Sequence, residues 1–105
     1  MAGPDQDFEQ KFAALRASYE ARLDELETSA GALTDGDGGV AEALEAIHAG
    51  SHKLAGNAST FGFPELGKAA QVIEQECEAA AGADDHTRIA EMVRALRGTV
   101  GKSDS

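Results

Sequence analysis

Apolar residues recur at every third or fourth position in four stretches of this chain, and glycine-rich or acidic breaks separate the stretches. Such spacing places the apolar side chains on one face of an α-helix. The first stretch shows the pattern most clearly, with one face formed by Phe8, Phe12, Leu15, Tyr19, Leu23 and Leu26. Four amphipathic helices with short connections bury these faces most economically in an antiparallel bundle. The predicted fold class is therefore all-α, an up-down-up-down four-helix bundle.

The breaks in the pattern give the expected bounds of the helices. We predict the first three helices over 5–29, 40–60 and 64–81. The fourth is predicted to begin at Asp84 or Asp85, one of which caps it, and to reach Val100. The glycine-rich stretch 34–39 separates the first two helices, and Pro64 suits the first turn of the third. Since the chain is long enough for one core, we expect a single domain over 1–105 with frayed ends at 1–4 and 101–105.

Charge and cysteine content limit the partners and the cellular compartment that we expect for the protein. The formal net charge of -10 repels the phosphates of nucleic acids and of anionic lipids, so we expect neither nucleic acid nor membrane as a partner. Cys77 is the only cysteine, which excludes an internal disulfide, and it falls at a core-facing helical position. Residues 1–7 do not resemble a secretory signal, and no apolar run approaches the roughly 18 residues of a membrane span. We therefore expect a cytoplasmic protein.

His52 lies on the face of the second helix that points away from its apolar stripe. That stripe consists of Val40, Leu44, Ile47, Ser51, Leu54 and Ala58. At about 100° per residue, Gly56 lies only about 40° around the helix from His52. A glycine inside a helix costs about 1 kcal/mol relative to alanine, so we expect a functional reason for it. The small residues Ala55 and Ser59 share this face, which favours close approach of another molecule to the imidazole.

A family resemblance rests on the segment that contains this histidine. The segment reads His52-Lys53-Leu54-Ala55-Gly56-Asn57-Ala58 and is followed by Phe61-Gly62-Phe63 and Leu66. It resembles the histidine-containing phosphotransfer (HPt) domain family. The shared features are a histidine, a hydrophobic residue two positions after it, a glycine four positions after it and small residues next. An apolar residue followed by glycine, and then a leucine that opens the next helix, complete the motif. The likeness of the motif spans about 47–74, and the helical pattern extends it over most of the chain. It implies a four-helix bundle in which His52 accepts a phosphoryl group.

The resemblance also implies roles for two residues near the acceptor. Family members often carry Gln, or in chemotaxis-type kinases Glu, at the position of Glu74, against the ring nitrogen opposite the attacking one. A carboxylate that accepts the Nδ1 proton leaves Nε2 as the nucleophile. A solvated glutamate beside Glu76 and Glu78 is the alternative. Many members carry a lysine where this chain has Ala55, and Lys53 lies about 100° away around the helix.

The implied function is that of a relay intermediate in two-component signalling. His52 would accept the phosphoryl group from an aspartate of one receiver domain and pass it to another. We expect receivers of response regulators and hybrid histidine kinases to dock at Lys53, Ala55, Gly56, Ser59 and His48. The chain shows no glycine-rich phosphate loop and no kinase signature, so we expect no ATP-dependent kinase activity. It would need no cofactor or metal of its own, because Mg²⁺ would be bound by the receiver.

Three other interpretations remain open at this stage. His48 and His52 are spaced i, i+4 with Glu45 one turn earlier, a pair that can bind Zn²⁺ when a third ligand converges. The only other histidine is His86, and no HExxH motif or cysteine pair supports a metal site. An acidic adaptor or structural bundle that binds another protein would need no chemistry at His52. A hydrolytic Ser/His/Asp site is the third interpretation, although no nucleophile-elbow motif is present.

Overall fold

The fold is a bundle of four helices in which helices consecutive in the sequence are neighbours in space. The computed structural model describes the backbone of residues 4–35 and 39–102 and the side chains of residues 9–35 and 39–100. The helices are α1 (Pro4–Asp35), α2 (Val40–Asn57), α3 (Pro64–Ala79) and α4 (Ala83–Lys102). Consecutive helices pack side by side, α4 also packs on α1, and the described ranges contain no strand. The predicted all-α four-helix bundle is confirmed.

The first helix extends six residues beyond its predicted end. It continues from Ser29 to Asp35 because Ala30 and Leu33 carry its apolar face further into the core, where they are 0% and 4% exposed. Residues 1–3, 36–38 and 103–105 lie outside the described residues. The fraying predicted at 1–4 and 101–105 stays a prediction, although α1 begins at Pro4 and α4 continues to Lys102. The middle of the glycine-rich loop also stays a prediction.

The start of the fourth helix differs from the prediction that Asp84 or Asp85 caps it. The third helix ends at Ala79, and α4 begins at Ala83, so both aspartates lie in its first turn. Carboxylates are favourable there because the amide dipoles give a helix N-terminus a partial positive charge. Asp85 accepts a hydrogen bond from the backbone N–H of Ala81 at 2.9 Å, and this bond lowers the pKa of its carboxyl.

A glycine-dependent turn joins α2 to α3. The helix ends at Asn57, three residues before the predicted Thr60, but the chain continues to turn as far as Gly62. Gly62 has a φ of 96°, in the left-handed region that glycine adopts at low cost. The N–H of Phe63 then donates to the carbonyl of Ala58 at 2.8 Å, a hydrogen bond typical of a helix C-terminus. This turn directs Phe63 into the core.

An aromatic cluster fixes that turn against α1. The fully buried ring of Phe63 stacks on Phe12 at a centroid distance of 4.9 Å and meets the edge of Tyr19 at 5.1 Å. The hydroxyl of Tyr19 donates to Oδ1 of Asn57 at 3.1 Å, and burial raises the pKa of this phenol. Most of the remaining core is aliphatic and includes Leu23, Leu26, Ile47, Leu54, Leu66, Ile73, Ile89, Val93 and Leu96. Cys77 is buried as predicted, and burial raises the pKa of its thiol to about 11.

Charged residues cover the outer faces of the helices. Arg97 of α4 binds Asp24 and Glu27 of α1 at 2.6 Å and 2.9 Å, which joins the first and last helices across the surface. Each such exposed pair contributes little to stability, typically about 0.2–1 kcal/mol. Within the part of the chain that the structure describes, no helix is long and apolar enough to cross a membrane.

The turn after α2 lies close to the first turns of α3 at Gly67. This residue is buried in the first turns of α3, and a Cβ added to it would contact the hydroxyl of Ser59 and lie 3.1 Å from its backbone nitrogen. A side chain at this position would therefore push apart the end of α2 and the start of α3.

We predict that Gly67→Ala lowers the free energy of unfolding by about 1–3 kcal/mol, the usual cost of overpacking a core. Gly98→Ala is the matched control, because a Cβ there meets no atom within 4 Å and alanine favours the helix by about 1 kcal/mol. Urea unfolding followed by circular dichroism measures both variants. Equal stability of the two would contradict the close contact at Gly67.

Candidate functional site

His52 projects from the outer face of α2, near the end of that helix. Its neighbour Ser51 and the nearby Leu54 are 0% and 1% exposed, so the helix is anchored directly beneath the histidine. The His52 side chain itself is 72% exposed. Buried neighbours therefore hold its backbone in place while the imidazole is accessible to another protein.

A carboxylate of α3 fixes one nitrogen of this imidazole. Oε2 of Glu74 lies 2.6 Å from Nδ1 of His52, and the Glu74 side chain is only 18% exposed. Donation of the Nδ1 proton to the carboxylate leaves the lone pair on Nε2, the nitrogen on the far side of the ring. The structure thus brings Glu74 to the ring nitrogen expected for it. Its role in phosphoryl transfer stays a prediction.

A second histidine–glutamate pair lies one helical turn away. Nε2 of His48 is 3.0 Å from Oε2 of Glu78, so the pairs 48–78 and 52–74 form successive contacts between the antiparallel helices α2 and α3. The two histidines engage different nitrogens. In His48 the nitrogen that corresponds to the free Nε2 of His52 is already in contact with a carboxylate. This difference favours His52 as the nucleophile.

A groove between α1 and α2 borders the imidazole on its other side. Its lining residues are Leu15, Ser18, Tyr19, Arg22, His52, Lys53, Leu54, Gly56 and Asn57. Lys53 and Arg22 bring two positive charges to the groove that contains the imidazole, whereas Ala55 carries none. The sequence analysis missed Arg22, because it lies on a different helix. The available signal was its position three residues after Tyr19, at the edge of the apolar face of α1.

The other residues predicted to form the docking face differ in their surroundings. Gly56 is exposed, and an added Cβ would meet no atom of this chain within 4 Å, so packing within the chain does not require glycine there. Ala55 is half-buried, and the hydroxyl of Ser59 is directed at Gly67 of α3. Phe61, in the turn after α2, is 52% exposed and adds an apolar group to this end of the bundle.

We predict that Glu74→Ala changes the tautomer of His52 in the unphosphorylated protein. Loss of the carboxylate removes the acceptor for the Nδ1 proton, so the population with the proton on Nε2 increases. Long-range ¹H–¹⁵N NMR of the imidazoles measures this shift. Glu78→Ala is the matched control and should alter the signals of His48 alone. An unchanged His52 tautomer in Glu74→Ala would contradict the assignment of Nδ1 as the held nitrogen.

One comparison with known proteins identifies a family for this chain. The Hpt domain family matches the chain over residues 10–99, which include all of α2 and α3, most of α1 and α4, and both histidine–glutamate pairs. No curated protein and no solved structure gives a significant match. Hpt domains take part in histidine phosphotransfer in phosphorelays, have no catalytic activity of their own and interact with receiver domains. Because the match covers most of its length, the chain belongs to the Hpt domain family.

Proposed function

We propose that this protein is a phosphocarrier between two receiver domains, with His52 as the phosphoacceptor. The observation that carries the proposal is the exposed imidazole whose Nδ1 lies 2.6 Å from the Glu74 carboxylate. This arrangement presents one nucleophilic nitrogen to solvent in a fixed tautomer. Such a group can attack a phosphoryl donor that a partner protein brings to it.

The transfer exchanges a P–O bond for a P–N bond. The lone pair on Nε2 of His52 attacks the phosphorus of an aspartyl phosphate, and the bond from phosphorus to the aspartate oxygen breaks, which returns a carboxylate to the receiver. The Nδ1 proton stays on the ring, and the carboxylate of Glu74 balances the resulting positive charge. Transfer to the second receiver is the reverse reaction with another aspartate. Phosphoryl transfer depends mainly on positioning and charge neutralisation, part of which Mg²⁺ on the receiver would supply.

Positive charge beside His52 supports the same proposal. Many family members have a lysine where this chain has Ala55, whereas here Arg22 and Lys53 line the groove that contains the imidazole. Both long side chains can attract the negatively charged phosphoryl group. We infer that these two residues supply the cation that position 55 lacks.

The shape of the surface around His52 suits the approach of a receiver. The open space at Gly56 allows another backbone to come close to the imidazole, and the exposed Phe61 offers an apolar contact at the edge of the same face. Lys53, Ala55, Ser59 and His48 complete the proposed docking face. The net charge of -10 disfavours nucleic acid and anionic membranes as alternative partners.

The primary test is the transfer of label from a phosphorylated receiver. We predict that His52→Gln abolishes acid-labile labelling and leaves the thermal unfolding midpoint nearly unchanged, because this side chain is 72% exposed. His86→Gln, which alters a histidine of α4 outside the site, should keep full labelling. Label retained in His52→Gln would place the acceptor elsewhere. Absence of label in the wild type with a broad panel of receivers would favour a non-catalytic adaptor.

A second prediction concerns the open space at Gly56. A glutamine side chain there would occupy the approach path to His52, so Gly56→Gln should slow transfer from the receiver at least about tenfold, equivalent to ~1.4 kcal/mol in the activation barrier. Gly98→Gln places the same side chain on α4, where a Cβ also meets no neighbour, and should transfer at the wild-type rate. Rapid-quench kinetics measures the rates. Equal rates in both variants would contradict the role of Gly56 in close approach.

A further inference from the structure

A group of potential metal ligands lies beside the phosphotransfer site. His48 of α2 and Glu74 and Glu78 of α3 each offer one ligand atom, and these atoms lie within 4.8 Å of one another. The sequence pattern suggested His48 and His52, with Glu45 one turn earlier, as metal ligands. The fold instead brings His48 together with two glutamates of α3, because this i, i+4 pair faces α2 at the level of His48.

The chemistry of these groups suits a transition-metal ion. One imidazole nitrogen and two carboxylate oxygens form a three-residue set that Zn²⁺ accepts, with the fourth position available to water. Ligands of a tetrahedral zinc ion lie roughly 3.3–3.6 Å apart, as follows from metal–ligand distances of about 2.0–2.2 Å. The side chains of His48 and Glu78 are 38% and 60% exposed, so rotation of both can adjust the ligand atoms towards that separation.

The surroundings of the three ligands favour a cation. In the described part of the chain, Glu74 and Glu78 contact His52 and His48, whereas the neighbouring Glu76 is paired with Arg88 at 2.7 Å. The two carboxylates therefore keep their negative charge available. A second groove, lined by His48 and Glu78 among others, also includes Glu45.

We propose that His48, Glu74 and Glu78 bind a divalent transition-metal ion, and that the bound ion slows phosphorylation of His52. Glu74 belongs to both groups, because its Oε2 is 2.6 Å from Nδ1 of His52. A dication on this carboxylate offsets the negative charge that faces the ring. The carboxylate then balances the positive charge of a phosphorylated imidazole less well. The effect on phosphorylation rests on the proposed function, whereas the binding of the metal does not.

Calorimetric titration of the metal-free protein with Zn²⁺ tests the binding. We expect one site per chain, with affinity lowered at least tenfold in His48→Gln and in Glu78→Gln and retained in His52→Gln. Circular dichroism of each variant verifies that it is folded. Loss of binding in His52→Gln, or unchanged binding in the other two variants, would overturn the proposed ligand set. Absence of saturable binding to the wild type would overturn the site itself.

Labelling kinetics with and without Zn²⁺ test the regulation. We expect Zn²⁺ to slow labelling of the wild type by a phosphorylated receiver several-fold, and a zinc-selective chelator that spares Mg²⁺ to restore the rate. Glu78→Gln retains Glu74 and His52 but lacks one proposed ligand, so its labelling rate should not change with Zn²⁺. Any slowing that remains in this variant measures the action of Zn²⁺ on the receiver. Equal slowing of both proteins would overturn the regulatory role. Absence of labelling without Zn²⁺ would refute the relay function and leave the calorimetric result intact.

Discussion

The close approach of the turn after α2 to the start of α3 is the constraint on which the site depends. Gly67 has no side chain, so the turn after α2 can lie against the start of α3 at Ser59. The burial of Phe63 fixes the same turn in the core. Because α3 then runs antiparallel to α2, Glu74 lies opposite His52, and their side chains meet at 2.6 Å. Both contacts lie at the junction from which α3 runs back along α2 towards Glu74.

The proposed function divides the work of phosphotransfer between this protein and its partner. In this proposal, His52 is the nucleophile, its Nδ1 is held by the Glu74 carboxylate, and Arg22 and Lys53 of the adjoining groove contribute positive charge. The receiver would supply the phosphoryl group and the metal ion that neutralises it. One helical turn away, His48 uses the other ring nitrogen, because its Nε2 contacts Glu78. Function at this surface therefore depends on which imidazole nitrogen is left free.

The sequence predicts those features that depend on one helix at a time. Apolar spacing identifies four helices and most of the buried faces, and it places His52 and Gly56 together on the outer face of α2. The sequence does not predict features that depend on the spacing between helices, such as the contact of Ser59 with Gly67 and the position of Arg22 in the groove that His52 also lines. The expected contact of Glu74 came from family resemblance, because periodicity alone does not give the register between α2 and α3. The extension of α1 to Asp35 was missed because glycine and threonine weaken the helical pattern after Ser29.

The most direct measurement of the central claim is the site of phosphorylation on the imidazole. Two-dimensional ¹H–³¹P NMR of the protein after transfer from a receiver distinguishes the two ring nitrogens by their proton couplings. Phosphate on Nε2 couples to both carbon-bound ring protons of His52, and this is the result that the account predicts. Phosphate on Nδ1 would couple to one of those ring protons only. That result, or phosphate on His48, would contradict an acceptor whose Nδ1 is held by Glu74.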